Sequence, residues 1–209
     1  MAPNASEELT NWFFRLNGCL TIPNFVVHPE VGSEQRTDAD LLAVRFPHRC
    51  ELLARPVVDD PFFTAEKTRL QVFFVEVKSS GCAINNPWKE PQRKNVNTVV
   101  RALGFAPLEA VDTIAASIYS TGQYSDANVI ARFVCVGKRR KSLGPSFASV
   151  HQILYPEILT FIHQRFHGHD KAKASHGQWD KFGRALYSLA QEYLKPAEFC
   201  KEFLKRHLT

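Results

Sequence analysis

Asp40, Glu76 and Lys78 are the side chains whose types and spacing most clearly point to chemistry. Asp40 begins one short apolar run, and Glu76 and Lys78 close another that is rich in Val and Phe. Runs of this length and composition are typical of core strands. Because strand side chains alternate between faces, Glu76 and Lys78 project to the same side. If the two strands pair, Asp40 meets Glu76 at the end of the sheet with Lys78 alongside.

Two converging carboxylates suit a hard divalent cation that takes oxygen ligands and keeps several waters. Mg²⁺ is the expected ion, and Mn²⁺ can substitute for it. A neighbouring lysine ammonium can orient a water nucleophile or stabilise charge that develops on a phosphate. The chemistry that these three side chains predict is therefore metal-assisted hydrolysis of a phosphate ester.

An acid on one strand followed by acid-any-lysine on the next resembles the PD-(D/E)XK superfamily of restriction-endonuclease-like phosphodiesterases. The matching residues are Asp40 and Glu76-Val77-Lys78, and the resemblance covers roughly residues 6–136. It implies an α/β fold with a restriction-endonuclease-like core of helix, three strands, helix and strand. It also implies that Asp40, Glu76 and Lys78 are catalytic and that Asp40 and Glu76 hold Mg²⁺.

The resemblance divides the chain into two parts. Residues 1–137 form the nuclease-like core, with an insertion at about residues 46–69. Residues 138–209 form a basic, mainly helical C-terminal extension that packs on the core. The core carries 13 Lys and Arg against 15 Asp and Glu, a net charge of −2, whereas the extension carries 13 against 6, a net charge of +7. A mildly acidic core beside a basic segment suits a metal site next to a phosphate-binding surface.

Glu7 and Glu34 are further candidates for the metal site. Glu7 lies in the first turn of a helix that Ser6 is expected to cap, and superfamily members often add an acid from the first helix. The other reading of Glu7 is a favourable interaction with the helix dipole. Glu34 lies in the polar loop that leads into Asp40, where ordinary solvation is the alternative. Asp38 has the same strand parity as Asp40, but Asp40 directly adjoins the apolar run.

Nucleic-acid contacts are predicted from one basic run and from the segment after Lys78. The run consists of Lys138, Arg139, Arg140 and Lys141. Gln92 and Lys94 lie on the outer face of a helix predicted to begin at Pro91, and they are candidate contacts to substrate. Trp88 is a candidate to stack on an unpaired base, with plain packing as the alternative. For the basic run, the alternative is a solvated surface segment.

The remaining pattern predicts mostly regular elements. Leu20 to His28 form a first strand that Pro23 interrupts, which is typical of an edge strand or a bulge. Residues 50–53 either extend the second strand or begin a short extra one, and 122–126 form a turn. Further helices are expected over residues 91–103, 107–120, 156–166, 179–193 and 196–207, and a last core strand over 129–136. His163 and His167 have zinc-ligand spacing, but without a nearby cysteine or suitable glutamate a solvated or phosphate-contacting role is favoured.

Composition limits the setting of the protein. No apolar run approaches 18 residues, so no membrane span is expected. The first ten residues resemble neither a secretory signal nor a transit peptide. Five widely spaced cysteines without a Cys-x-x-Cys pair indicate reduced thiols in a cytoplasmic protein.

The leading hypothesis is a Mg²⁺-dependent nuclease that hydrolyses phosphodiester bonds with a metal-activated water. DNA is favoured over RNA as the substrate. The rival is a catalytically inactive module of the same fold that binds nucleic acid or a protein partner, since a fold does not establish chemistry. A third option is a subunit whose insertion at about residues 46–69 binds another protein and whose site works only in that complex. A homodimer or a protein partner through the C-terminal helices is also open.

Overall fold

The chain has an α/β fold built around a mixed six-stranded sheet. The computed structural model describes residues 4–29, 35–53, 56–169 and 179–208. The strands are β1 (Leu20–Val27), β2 (Thr37–Arg45), β3 (Leu70–Val77), β4 (Gln123–Ser125), β5 (Val129–Gly137) and β6 (His151–Leu154). The described α-helices are α1 (Ala5–Leu16), α2 (Pro61–Thr64), α3 (Asn95–Leu103), α4 (Val111–Thr121), α5 (Tyr155–Gly168), α6 (Lys181–Glu192) and α7 (Pro196–His207). The α/β class expected from the sequence is thus confirmed.

The sheet combines antiparallel and parallel pairs. β1, β2 and β3 follow one another in antiparallel order, and β5 lies parallel to β3. The helices α3 and α4 connect β3 to β5, as a parallel connection requires a crossover of this length. β4 pairs with the first half of β5 and β6 with its second half. The two strands that carry the predicted chemistry, β2 and β3, are therefore adjacent.

Each face of the sheet is covered by its own set of helices. Side chains alternate along β3, so that Phe73 and Val75 enter one core and Val72 and Phe74 the other. The first core receives α1 and the C-terminal helices α5, α6 and α7. The second receives α3 and α4. The segment after residue 137 thus adds β6 to the sheet and covers one of its faces.

β1 lies at an edge of the described sheet. Its side chains are mostly exposed, including Leu20, Ile22 and Val26. Pro23 lies within this edge strand, as the sequence predicted for an edge or a bulge. The next residue, Asn24, has a φ of 52° and is skipped in the pairing with β2. No described helix has the length and apolar character that a bilayer crossing requires.

A buried ion cluster ties the insertion to the rest of the chain. The carboxylate of Asp59 accepts hydrogen bonds from Arg45 Nη2 at 2.8 Å and from Arg165 Nη2 at 3.0 Å, and Arg49 contacts it as well. Asp59, Arg45 and Arg165 are each buried. The neighbouring Asp60 caps the short helix α2 through the Phe62 N–H, so both adjacent aspartates have structural contacts.

Several local expectations were wrong. α1 begins at Ala5 with Asn4 as its cap, two residues before the expected start at Glu7. Residues 50–53 are a loop rather than strand, and the expected turn after Gly122 contains β4. The expected helix from Pro91 is a short 3₁₀ turn, because Lys94 adopts a left-handed conformation with a φ of 53° and α3 begins after it.

All five cysteines are unpaired.

Candidate active site

Asp40 and Glu76 meet where β2 and β3 part. The antiparallel pairing ends at Leu41 and Val75, and continuing that register by one residue places Asp40 opposite Glu76. Beyond this point the Asp40 side chain takes the place of a backbone partner, because its Oδ2 accepts the Val77 N–H at 2.6 Å. On its other side, Val77 still pairs with Val136 of β5. The carboxylate of Asp40 therefore lies in the fork between the two strands.

Lys78 joins the two acids. Its Nζ donates to Glu76 Oε2 at 2.8 Å and approaches Asp40 Oδ2 at 3.4 Å. Burial by itself would lower the pKa of Lys78, but the charges of Glu76 and Asp40 outweigh burial and leave that pKa raised. The side chain of Lys78 is 22% exposed, so its ammonium remains within reach of solvent. The structure brings the three predicted residues into one cluster.

Glu76 is the most deeply buried member of this cluster. It is 1% exposed, and its Oε1 has no hydrogen-bond partner in the part of the chain that the structure describes. Burial raises the pKa of Glu76 to about 7, with the Lys78 ammonium opposing the rise and the Asp40 carboxylate reinforcing it. A buried oxygen without a partner costs free energy and is rare in native proteins. An incoming cation or donor would satisfy this oxygen.

Comparison with protein-family models, curated proteins and solved structures finds no match. The arguments about this site therefore depend on its own geometry.

Tyr155 holds the end of β3 through a hydrogen bond from α5. It is fully buried at the start of α5, and its hydroxyl donates to the Lys78 carbonyl at 2.8 Å. This contact holds the backbone of Lys78 after the strand has ended and so orients its side chain toward the acids. Nothing in the sequence identifies Tyr155, because the two residues lie 77 positions apart.

The further acidic candidates have different positions. Glu7 lies in the first turn of α1, where burial and the nearby charges of Asp40 and Asp38 raise its pKa. Asn4 donates to its carboxylate. Within the described ranges no group of three or more His, Cys, Asp or Glu side chains could hold a metal, so Glu7 does not complete such a group with Asp40 and Glu76. Glu34 lies outside the described residues.

Trp88 is not available to a base. It is fully buried and packs edge-on against Phe133, with 5.8 Å between ring centroids. The stacking role considered for it was wrong, and packing, the alternative, is what the structure has. Its indole weakly favours the charged form of Glu76, although neither Trp88 Nε1 nor Glu76 Oε1 makes a hydrogen bond of normal geometry. Trp88 therefore forms part of the wall behind the site.

The basic run at residues 138–141 lies next to the segment that follows Lys78. The Lys138 N–H donates to Ser80 O, and Cys82 N donates to Arg139 O at 3.0 Å. The aliphatic part of Lys141 lies over Gly81, where a Cβ would come within 2.5 Å of it. All four basic side chains of the run are exposed, and Arg140 pairs with Glu157 at 2.7 Å. These contacts place positive charge a few residues from the acids.

Gln92 and Lys94 are exposed but do not lie on a helix face as expected. Gln92 belongs to the 3₁₀ turn and approaches Glu90, while Lys94 precedes the first residue of α3. Arg36, which directly precedes β2, stabilises the backbone of the same turn, because its Nη1 donates to Arg93 O at 2.8 Å.

The two histidines with zinc-ligand spacing have structural contacts. His163 Nε2 bonds to Tyr193 O at 2.7 Å, and His167 Nε2 bonds to Ala190 O at 2.8 Å. These bonds join α5 to the C-terminal end of α6. His163 is buried, so the solvated role that was favoured for it was wrong.

Proposed function

We propose that this protein is a Mg²⁺-dependent nuclease with a restriction-endonuclease-like core. The observation that carries the proposal is the convergence of Asp40, Glu76 and Lys78 at the fork between β2 and β3. Among the buried side-chain atoms that lack a hydrogen-bond partner within the described residues, Glu76 Oε1 is the one carboxylate oxygen. A carboxyl group with a strongly raised pKa next to a specific charge partner is typical of functional sites.

The residues fit a hard divalent cation. Mg²⁺ is commonly held by one or two carboxylates and keeps several of its waters. Asp40 and Glu76 provide two carboxylates from different strands, and Glu76 Oε1 makes no hydrogen bond of normal geometry with the described residues. Asp40 Oδ2 is held by the Val77 N–H, which restricts the carboxylate before any ion binds. Bound here, Mg²⁺ or Mn²⁺ would polarise a phosphate and lower the pKa of a coordinated water.

Lys78 supplies the remaining chemistry. Its ammonium contacts both acids, so a cation bound between them would displace the ammonium. The Lys78 side chain is 22% exposed, so the ammonium can move toward solvent. From that position its Nζ can donate to an attacking water or to a phosphate oxygen. The bond from Tyr155 to the Lys78 carbonyl limits this displacement to the side chain.

Nucleic acid is the substrate that the surroundings favour. Lys138, Arg139 and Lys141 are exposed beside the site, and none of the ion pairs found among the described residues includes them. Such lysines and arginines bind the phosphate backbone without reading bases. DNA over RNA remains the preferred substrate within this proposal, and the protein partner through the C-terminal helices remains an open prediction.

The test is cleavage of circular single-stranded and double-stranded DNA, and of RNA, with Mg²⁺, Mn²⁺ or a chelator. We expect metal-dependent cutting that Asp40→Asn and Glu76→Gln abolish and that Lys78→Met lowers by about 10²- to 10⁴-fold. Asp38→Asn is the matched control, because it removes a carboxylate two residues away on the same strand. Cutting that survives Glu76→Gln, or that Asp38→Asn removes equally, would contradict this assignment.

Metal binding is measured separately by the melting temperature with and without Mg²⁺. A ligand that binds only the folded state stabilises it, so wild type should gain stability and Asp40→Asn should not. Mg²⁺ stabilisation without cleavage would leave a metal-binding module whose activity needs a partner. Neither stabilisation nor cleavage, with nucleic-acid binding retained, would establish the inactive binding module instead.

A further inference from the structure

A second basic surface lies on the side of the site opposite the run at residues 138–141. It is a concave pocket of about 540 Å³ between the end of the loop before β2, the start of α3 and the start of α4. Three cationic side chains line it, from Arg36, Lys94 and Arg101. Its size is in the range of small-molecule sites, and it admits a group the size of a nucleotide.

Cationic side chains outnumber carboxylates among the described residues of this pocket. Arg36 and Lys94 are exposed, and Asp112 is the one carboxylate of that described lining. Asp112 Oδ1 accepts a hydrogen bond from Asn97 Nδ2 at 2.7 Å, which holds the carboxylate at the α4 side of the pocket. Lys94 and Arg101 are seven positions apart, which is about two helical turns and places them along one side of α3.

Backbone contacts hold the pocket in shape. Arg36 Nη1 donates to Arg93 O at 2.8 Å and so joins the start of β2 to the residue before Lys94. Lys94 adopts the left-handed conformation between the 3₁₀ turn and α3, and this conformation directs the chain into the helix. The two basic residues are thus positioned by backbone geometry rather than by exposed ion pairs.

An apolar wall completes the pocket. Leu108 is 75% exposed, and Val111 lies beside it at the start of α4. A single exposed leucine has no special meaning. Here it faces the same concavity as three cations, and that combination suits an anion attached to a less polar body. A nucleotide has this character, with its phosphate near the cations and its sugar or base against Leu108.

The pocket lies within reach of the site. Arg36 precedes Asp40 by four residues of extended chain, a separation of about 13 Å. On the other side Lys138 is bonded to Ser80, which follows Lys78 by two residues. A strand whose scissile phosphate lies between Asp40 and Glu76 would therefore have basic surface on both sides.

We infer that the pocket lined by Arg36 and Lys94 is a nucleotide subsite that binds a phosphate of the substrate strand a short distance from the scissile bond. The inference rests on the proposed nuclease function for the position of that bond. The phosphate is either an internal phosphodiester or a terminal phosphate, since the same cations recognise both.

The experiment measures binding of a fluorescent single-stranded oligonucleotide by anisotropy, with chelator present so that no cleavage occurs. Lys94→Gln should weaken binding about five-fold at low salt, the effect of about 1 kcal/mol from one charge near a surface. It should also reduce the slope of log affinity against log salt by about 0.7. Lys201→Gln, an exposed lysine on α7, is the matched control and should change neither.

Asp112→Asn distinguishes a binding role from structural damage. It removes the one negative charge among the described residues of the lining while leaving an oxygen to accept the Asn97 hydrogen bond. We expect several-fold tighter binding, which a disrupted pocket could not produce. Wild-type affinity in both Lys94→Gln and Asp112→Asn would overturn the subsite.

Two further comparisons separate the sources of phosphate and the two proposals. An effect of Lys94→Gln that requires a phosphorylated end identifies a terminal phosphate, and an effect that is independent of the ends identifies an internal one. If wild type never cleaves but both variants change binding as expected, the subsite stands and the nuclease proposal fails. If wild type cleaves and neither variant changes binding, the subsite fails and the nuclease proposal stands.

Discussion

Two buried charge clusters in this protein have opposite character. In one, the single carboxylate of Asp59 is surrounded by arginines, and both of its oxygens accept hydrogen bonds. In the other, Asp40 and Glu76 share one lysine, and Glu76 Oε1 accepts none. Both clusters link elements that are distant in sequence. They differ in whether every oxygen of the buried carboxylates has a hydrogen-bond partner among the described residues.

The Asp59 cluster has the features of a structural joint. Beyond their contacts with Asp59, Arg45 donates to Asn17 O at 3.0 Å and Arg165 donates to Leu16 O at 2.6 Å. The end of α1, strand β2, the insertion and α5 are thereby joined through one carboxylate. Both oxygens of Asp59 accept hydrogen bonds from arginines, and such a satisfied network favours one arrangement of the charges.

The Asp40 cluster has fewer compensating contacts than the Asp59 cluster. Two acids and one base leave a net negative charge, and the low exposure of Glu76 makes that charge costly. Stability is commonly lost at sites that are arranged for a ligand or a reaction. The contrast between the two clusters therefore supports function for one and structure for the other, and the same type of substitution tests both.

Replacing Asp59 should have the largest effect on stability. Asp59→Asn removes the one carboxylate charge that Arg45, Arg49 and Arg165 all contact, and breaking a buried pair from one side typically costs about 3 to 5 kcal/mol. Urea unfolding measures this loss. A cost below about 1 kcal/mol would mean that the arginines find other partners and that the cluster is not a joint.

Replacing Glu76 with its amide should have the opposite sign. The folded-state pKa of Glu76, about 7, lies above its ordinary value of 4.5, so the folded protein binds more protons between these two pH values. The contribution of Glu76 to stability is therefore complete below about pH 4.5 and is lost as pH rises through about 7. Glu76→Gln, which stays neutral, should be more stable than wild type by up to about 3 kcal/mol above pH 7, without metal.

Thermal unfolding in chelator at pH 5 and at pH 8 measures this difference. Glu198→Gln, an exposed position on α7, is the control and should show no gain that depends on pH. Added Mg²⁺ should narrow the gap, because it stabilises wild type and not the variant. A loss of stability in Glu76→Gln at pH 8 would contradict this prediction. It would show that the attraction between Lys78 and the Glu76 carboxylate exceeds the free-energy cost of burying that charge.

The smallest effect is expected in the basic run. Lys138→Gln should weaken DNA binding about five-fold at low salt, as for any single surface charge near phosphate. Arg140→Gln is the informative partner, because Arg140 pairs with Glu157 at 2.7 Å and so has less charge to offer. Salt titrations of binding measure both. Equal losses would mean that nucleic acid displaces Glu157 and that the pairing does not distinguish the two residues.

The sequence predicted the site better than it predicted what surrounds the site. Strand periodicity and the parity of Glu76 and Lys78 are local properties, and they placed both residues beside Asp40 correctly. The bond from Tyr155 to Lys78 O and the packing of Trp88 behind Glu76 depend on contacts across the fold, which local patterns do not contain. Trp88 illustrates this, since its position in a polar loop left base stacking and plain packing both open, and only contacts across the fold show that it is buried.

The predicted start of the helix at Pro91 was wrong because of the backbone conformation of one residue, which the sequence does not indicate. Pro91 is a suitable first residue for a helix, but Lys94 turns left-handed three residues later, which lysine seldom does. The bond from Arg36 to Arg93 O stabilises this turn from another part of the chain. The pocket beside α3 results from that turn and could not be predicted without it.

The proline and the left-handed asparagine of β1 limit how copies of this protein can associate. An exposed edge strand offers unpaired amide and carbonyl groups to which a second chain can add a strand, and such additions lead to aggregates. Pro23 has no amide hydrogen to donate, and Asn24 rotates the backbone out of register with any straight partner. Leu20 and Ile22 can therefore remain exposed at this edge without starting a continuous sheet from one molecule to the next.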